Sequence, residues 1–139
     1  MRVEAFRAFH IDLLIAQGVQ GAQLGEISTV PRTYATFGPA LSAFDGETIL
    51  LCGGILQVHS QSGVLWALLS ESAGAHMLAL HKGTLRFLAN HPLRRLEATV
   101  QQGFQMGPRW LKLLGFSPEG EMKAFGLNGE TYLRFARIL

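Results

Sequence analysis

Five histidines, one cysteine and a scatter of cations are the residues of this chain whose chemistry reaches beyond packing, and their spacing decides what they can do. His10, His59, His76, His81 and His91 lack zinc-ligand spacing; His76 and His81 stand five apart and would diverge on a helix. No G-x-S-x-G occurs, so a strand-to-helix nucleophile elbow is not encoded. Cys52 lies in the apolar run TILLCGG, where a buried, inert thiol is expected rather than a nucleophile, and a lone cysteine closes no internal disulfide. Lys82, Arg86, Arg94 and Arg95 could share an edge and meet a phosphate, RNA or an acidic partner, with an ordinary solvated face as the plainer account. Trp66 and Trp110, set among Leu, Ala and Val, read as core fillers.

The composition narrows the partners. Hydrophobic residues make up 48% of the 139 and charged ones only 16%, so the chain can bury a core without staples and does not have the composition of a disordered segment. Twelve Lys and Arg are scattered among ten acids, for a net charge of +2 and a pI near 9.0. That pattern lacks the concentrated basic face that phosphate-backbone recognition needs, and nucleic acid is not an expected partner. The low surface charge leaves room for a protein partner or a second copy of the chain. The opening MRVEAFRAFHIDLLIAQG is broken by Glu4, Arg7, His10 and Asp12. It has neither a signal-peptide core nor the ~20 apolar residues of a membrane span, so a cytoplasmic protein with no membrane partner is expected.

The elements that must position any site follow from periodicity and punctuation. Val3 to Phe6 reads as a short strand, and Ala8 to Gln17 as a buried helix carrying Phe9, Ile11, Leu13, Leu14 and Ile15. The glycine-rich stretch GVQGAQLGEISTVPR, 18–32, reads as a long connection with one helical turn at most. Ala40 to Phe44, the Asp45-Gly46 turn and TILLCGGILQVHS form a hairpin, with Gly53 and Gly54 suited to a bulge or a close backbone approach. After a turn at 61–63, VLWALLS is expected to be a strand covered on both faces, completing a meander. Met77, Leu80, Thr84, Leu85 and Leu88 recur at helical spacing, with Ser72 as the N-cap and Pro92 beyond the end; Gly83 weakens that helix without breaking it. RRLEATVQ alternates, placing Leu96, Ala98 and Val100 on one face. Pro108 suits a first helical position, and RWLKLLGF gives a short helix stopped by Gly115. Asn128-Gly129 predicts a type I′ hairpin into a long last strand. The order predicts a mixed α/β sheet with helices on its faces, in one domain over residues 1–139.

On this order, LKLLGF at 111–116 resembles the Y-x-x-x-G-F signature that closes the fourth helix of the GCN5-related N-acetyltransferase superfamily. FHIDLL, ALSAFDGETILLCGG, VLWALLS and RWLKLLGF together also resemble the small acetyltransferase-like proteins of tailed bacteriophages, including an internal virion protein of short-tailed phages. The resemblance implies about seven strands with helices on both faces, and acetyl-CoA bound where two central parallel strands part. The family's Q/R-x-x-G-x-G/A phosphate loop corresponds to SESAGAHM, 70–77, so cofactor contacts are implied at Leu68, Leu69, Ser70, Ser72, Ala73, Gly74, Ala75 and His76. This chain departs from that pattern: the basic lead residue is absent, and Glu71 brings negative charge to the loop. Where the family carries a tyrosine proton donor, this chain has Leu111. Tyr132 is the candidate substitute acid and Glu97 the candidate base acting through water, against the plainer accounts of a packed aromatic and a solvated sheet residue.

Two functions follow from the resemblance. The first is a phage-encoded, virion-associated or scaffold protein with a degenerate acetyl-CoA site, cytoplasmic in an infected or lysogenic host before any packaging. The second is a working acyl-CoA-dependent N-acetyltransferase acting on a primary amine of a small molecule or protein. No metal is expected in either.

Overall fold

The structure is a computed structural model that describes residues 1–19, 33 and 35–139. The predicted connection at 18–32 therefore lies largely outside the described residues. The strands are β1 (Arg2–Ala5), β2 (Ala40–Asp45), β3 (Thr48–His59), β4 (Ser62–Leu69), β5 (Arg95–Gln101), β6 (Ser117–Met122) and β7 (Tyr132–Ile138). The described α-helices are α1 (Phe9–Gln17), α2 (Met77–Ala89) and α3 (Met106–Leu113). None of them is long and apolar enough to cross a membrane.

The predicted mixed α/β sheet is present. It has seven strands in the order β1-β2-β3-β4-β5-β7-β6, with β4 and β5 parallel and β1–β2, β2–β3, β5–β7 and β6–β7 antiparallel. The parallel ladder joins Ser62, Gly63 and Val64 to Arg95, Leu96 and Glu97. Two compact units make up the chain: Met1–Leu56 with Trp66–His91, and Gln57–Leu65 with Pro92–Leu139.

In the first unit, α1 lays Ile11 and Leu14 into a core shared with Phe44, Ile49, Cys52 and Trp66, while Phe9 is left exposed. The helix also buries His10 completely, an imidazole in a position that apolar spacing alone would assign to the core. Gly53 and Gly54 serve close backbone approach and not a bulge. A Cβ on Gly54 would fall 2.3 Å from the Pro39 carbonyl oxygen, and one on Gly53 would fall 2.9 Å from that of Trp66. The bulge lies nearer the turn, where Ala43 pairs with Leu51 and Phe44 with Ile49, leaving Leu50 as the extra residue. On β4, Trp66 and Leu69 are buried but Ala67 is exposed, so the strand is not covered throughout on both faces. The helix expected to start at Ser72 is preceded by a 3₁₀ turn, Glu71–His76. Ser70 caps that turn, accepting the Ser72 N–H on its hydroxyl at 3.2 Å, and the α-helix starts only at Met77.

In the second unit, β5 buries Leu96, Ala98 and Val100 as its alternation predicts. Helix α3 begins at Met106, which places Pro108 third instead of first. That position is still within the turn whose N–H groups have no intrahelical acceptor. Its end is a Schellman closure. The Phe116 N–H donates to the Leu111 carbonyl at 2.9 Å and the Gly115 N–H to that of Lys112 at 3.1 Å, with Gly115 at φ +93° and both Leu111 and Phe116 buried. The Asn128-Gly129 prediction is corrected. Only Gly129 has positive φ there, and the Glu130 carbonyl collects the N–H groups of Phe125 and Gly126, which holds open a nine-residue loop, 123–131, where two residues were expected.

The Schellman closure makes Gly115→Val costly, because a β-branched side chain resists left-handed backbone. Urea unfolding should show a loss of about 1–2 kcal/mol or more; an unchanged midpoint would contradict the role given to this residue.

Candidate functional site

The end of β4 and the turn that follows it are built by backbone hydrogen bonds to three neighbours. Ser70, fully buried, donates its N–H to the Leu50 carbonyl at 2.9 Å. The Glu71 N–H donates to the Gly18 carbonyl at 3.0 Å, and Val19 forms a bridge with Ser70. The Ser72 N–H goes to the Ser70 hydroxyl, and the Ala73 N–H to the Ser70 carbonyl at 3.1 Å. Four consecutive amides, 70 to 73, thus point at protein oxygens. An anion taking up any of these four amides would have to displace its protein acceptor.

Charge does not favour that displacement. Glu71 packs its carboxyl group over Gly18, where a Cβ would lie 2.8 Å from the Glu71 carboxyl carbon. Gly18 closes α1 at φ +89°, a backbone region that residues with a Cβ rarely adopt. His76, at the other end of the turn, faces Asp45, Nε2 to Oδ2 3.4 Å, so the β2–β3 hairpin holds it. Leu68 is half-buried against the first unit's core, Leu69 and Ala73 are buried, and Ser72, Gly74 and Ala75 are exposed. The structure therefore brings the eight predicted cofactor residues onto one continuous segment. A Cβ on Gly74 would meet nothing within 4 Å, so its surroundings are open and not a tight cradle.

The two predicted catalytic residues both lie in the second unit but are not brought together. Glu97 pairs with Ala136 and Tyr132 with Gln101, which sets them four residues apart along the ladder, about 13 Å. Glu97 Oε1 accepts from Arg95 Nε at 3.1 Å and from Arg95 Nη2 at 2.9 Å. Arg95 also donates to both carboxylate oxygens of Glu119. The cation placed on a shared basic edge by the sequence is thus occupied by two acids. Tyr132 is half-buried, its ring 5.2 Å from that of Phe125. Leu111, at the position of the family's proton donor, is buried and has no exchangeable proton. Among the described residues no group of three His, Cys, Asp or Glu could hold a metal ion.

Sequence reasoning passed over one polar cluster. His10, Ser42 and Cys52, all fully buried, form a chain: His10 Nδ1 is 2.7 Å from Ser42 Oγ, which is 3.3 Å from Cys52 Sγ. Burial pushes the Cys52 thiol up to about 12, which fits the inert thiol expected from the sequence. A histidine inside the apolar helix FHIDLLIAQ was the signal that could have located this cluster.

Solved structures share the whole architecture. The chain matches a ribosomal-protein-alanine N-acetyltransferase from Brucella melitensis with TM-score 0.73 and 14% identity over 100% of both chains. The fold is that of the GCN5-related N-acetyltransferases. The ribosomal-protein-S18-alanine N-acetyltransferase from Escherichia coli matches with TM-score 0.75 and 10% identity, over 99% of this chain and 92% of that one. A GNAT family acetyltransferase from Elizabethkingia anophelis, solved with acetyl-CoA bound, matches with TM-score 0.72 and 13% identity, over 99% and 97%. No protein-family model and no curated protein sequence matches the chain.

The Arg95 network gives a direct test of its own wiring. Hydrogen bonds from Arg95 hold the Glu119 carboxyl below the usual carboxylate range, with a smaller contribution from the charges of Arg95 and Arg134. In Arg95→Gln the Glu119 carboxyl should titrate higher than in the parent protein, toward the ordinary carboxylate range, when followed by carboxyl-carbon NMR. A titration equal to that of the parent protein would show the network to be unformed in solution.

Proposed function

We propose that this chain is an acetyltransferase-fold protein with a binding or scaffold role, whose acetyl-CoA site is degenerate. The observation that carries the reading is the engagement of the four amides Ser70 to Ala73 by protein oxygens, at the turn where the family resemblance puts the cofactor's pyrophosphate. A backbone anion site needs N–H groups aimed outward. Here an incoming phosphate would exchange existing bonds for new ones beside the Glu71 carboxylate, so the net gain is small. The acid–base side agrees: Leu111 replaces a hydroxyl, and Glu97 is held by Arg95. The virion-associated form of the reading rests on the resemblance to phage proteins; head, portal or tail genes flanking its gene would support it, and metabolic genes there would count against it.

The second reading is a working N-acetyltransferase on a primary amine. It is favoured by the full-length likeness to three structures titled as acetyltransferases, one of them with acetyl-CoA bound. Positioning alone can accelerate acyl transfer, so a missing general acid does not by itself exclude turnover.

Thermal unfolding with and without acetyl-CoA separates the two. A ligand at one hundred times its Kd stabilises by about 2.7 kcal/mol, which for a chain of this size is a rise of several degrees. The scaffold reading expects no rise at 1 mM acetyl-CoA; a rise of several degrees would transfer the preference to the enzyme.

A further inference from the structure

The buried cluster at the N-terminus of α1 has a fixed order of protons. The Arg7 backbone N–H donates to His10 Nδ1 at 3.0 Å, so that nitrogen carries a lone pair and the ring proton sits on Nε2. The Ser42 hydroxyl, 2.7 Å from the same nitrogen, therefore also donates to it, and the Cys52 thiol donates in turn to Ser42 Oγ. Nε2 lies 3.2 Å from Glu4 Oε1, within ion-pair reach, although its N–H is not aligned for a hydrogen bond.

A second proton on His10 would break this order. Ser42 can turn its hydroxyl toward Cys52 and accept from the new N–H. The Arg7 amide cannot turn, and it would face an N–H⁺ with its own acceptor gone. The added charge would also sit in the first turn of a helix, where the macrodipole is positive. The charged and titratable groups around the ring are Glu4 and Arg2 on β1, Arg7 before α1 and Cys52 on β3, with Arg2 bound to Glu4 at 3.3 Å. Apart from Glu4 and the serine, the ring is lined by Phe6, Phe9 and Phe44.

The far end of the same helix leads to the candidate site. The Gln17 side-chain carbonyl accepts the Ile49 N–H at 3.1 Å, and the Gly18 carbonyl accepts the Glu71 N–H. We propose that His10 is an acid-sensitive bolt on α1, and that its protonation loosens the helix and the Gly18 carbonyl with it, releasing the Glu71 amide while Ser70 keeps those of Ser72 and Ala73. This rests on the reading of that turn as the degenerate anion site, and it adds a condition under which the turn opens. The sign follows from the burial. Desolvation lowers the His10 pKa, Glu4 partly offsets this, and Arg7 and Arg2 add to the lowering. The closed state therefore takes up the proton at lower pH than an opened helix, in which an imidazole does so at about pH 6.5. The stabilisation is fully present above that pH and is lost as the pH falls below it.

Hydrogen-exchange protection factors of α1 and of the Glu71 amide, measured without ligand between pH 7.5 and 5.0 and corrected for intrinsic rates, test this. The protein as it stands should lose protection in both segments together, by up to about tenfold per pH unit below pH 6.5. His10→Asn keeps an acceptor for Arg7 and Ser42 but cannot titrate, and it should lose this pH dependence. Equal pH dependence in His10→Asn, or loosening of α1 with the Glu71 amide unchanged, would overturn the proposal. If that variant does not fold, the parent protein decides alone: the loss of Glu71 protection should begin near pH 6.5 and level off where His10 titrates by NMR, and a loss unrelated to that titration would overturn the coupling. Because no cofactor is present, an acetyl-CoA response at neutral pH would count against the scaffold reading without touching this one.

Discussion

One hydrogen bond, from the Glu71 N–H to the Gly18 carbonyl, ties together the features that give this chain its character. It joins the end of α1 to the turn after β4, and it removes from that turn an amide that an anion site would present to solvent. Ser70, capping the same turn, engages the next two amides with its hydroxyl and carbonyl and sends its own to Leu50. The fold is shared with acetyltransferases of known structure, while at this turn the amides of residues 70–73 are bonded within the protein. Each bond is modest on its own, about 0.5–1.5 kcal/mol net. Their effect here is geometric, since an amide already bonded to a carbonyl cannot also face a ligand.

The same logic extends to the acid–base residues. A general base must have a lone pair aimed at the proton it takes. Glu97 gives Oε1 to two N–H groups of Arg95, which also donates to both carboxylate oxygens of Glu119 on β6, beyond β7. Tyr132 and Glu97 stand at separated rungs of one ladder. What the second unit does build well is structure: the Schellman closure at Gly115, the alternating burial of β5 and the long pairing of β5 with β7.

How much of this was legible in the sequence depended on the range of the interaction. LKLLGF announced its helix end because every partner in that closure lies within six residues, and RLEATVQ announced its buried face by strict alternation. The meander was legible from its turns, but the placing of β7 between β5 and β6 was not, because it rests on long-range pairing. Asn128-Gly129 misled because the loop is organised by the Glu130 carbonyl, which no dipeptide rule contains. The capping of the cofactor turn was displaced by two residues, from Ser72 to Ser70, because tertiary bonds to Leu50 and Gly18 fix where the turn begins. His10 was missed for the same reason: its partners Ser42 and Cys52 lie far along the chain, on strands brought together by the sheet.

The central claim is that the amides of Ser70 to Ala73 belong to the protein and not to a nucleotide, and amide NMR during a titration with CoA at neutral pH tests it most directly. The account predicts that these four N–H resonances keep their positions through the titration. Large downfield shifts of the Glu71 and Ser72 protons at saturation, as phosphate oxygens replace the Gly18 carbonyl and the Ser70 hydroxyl, would contradict it.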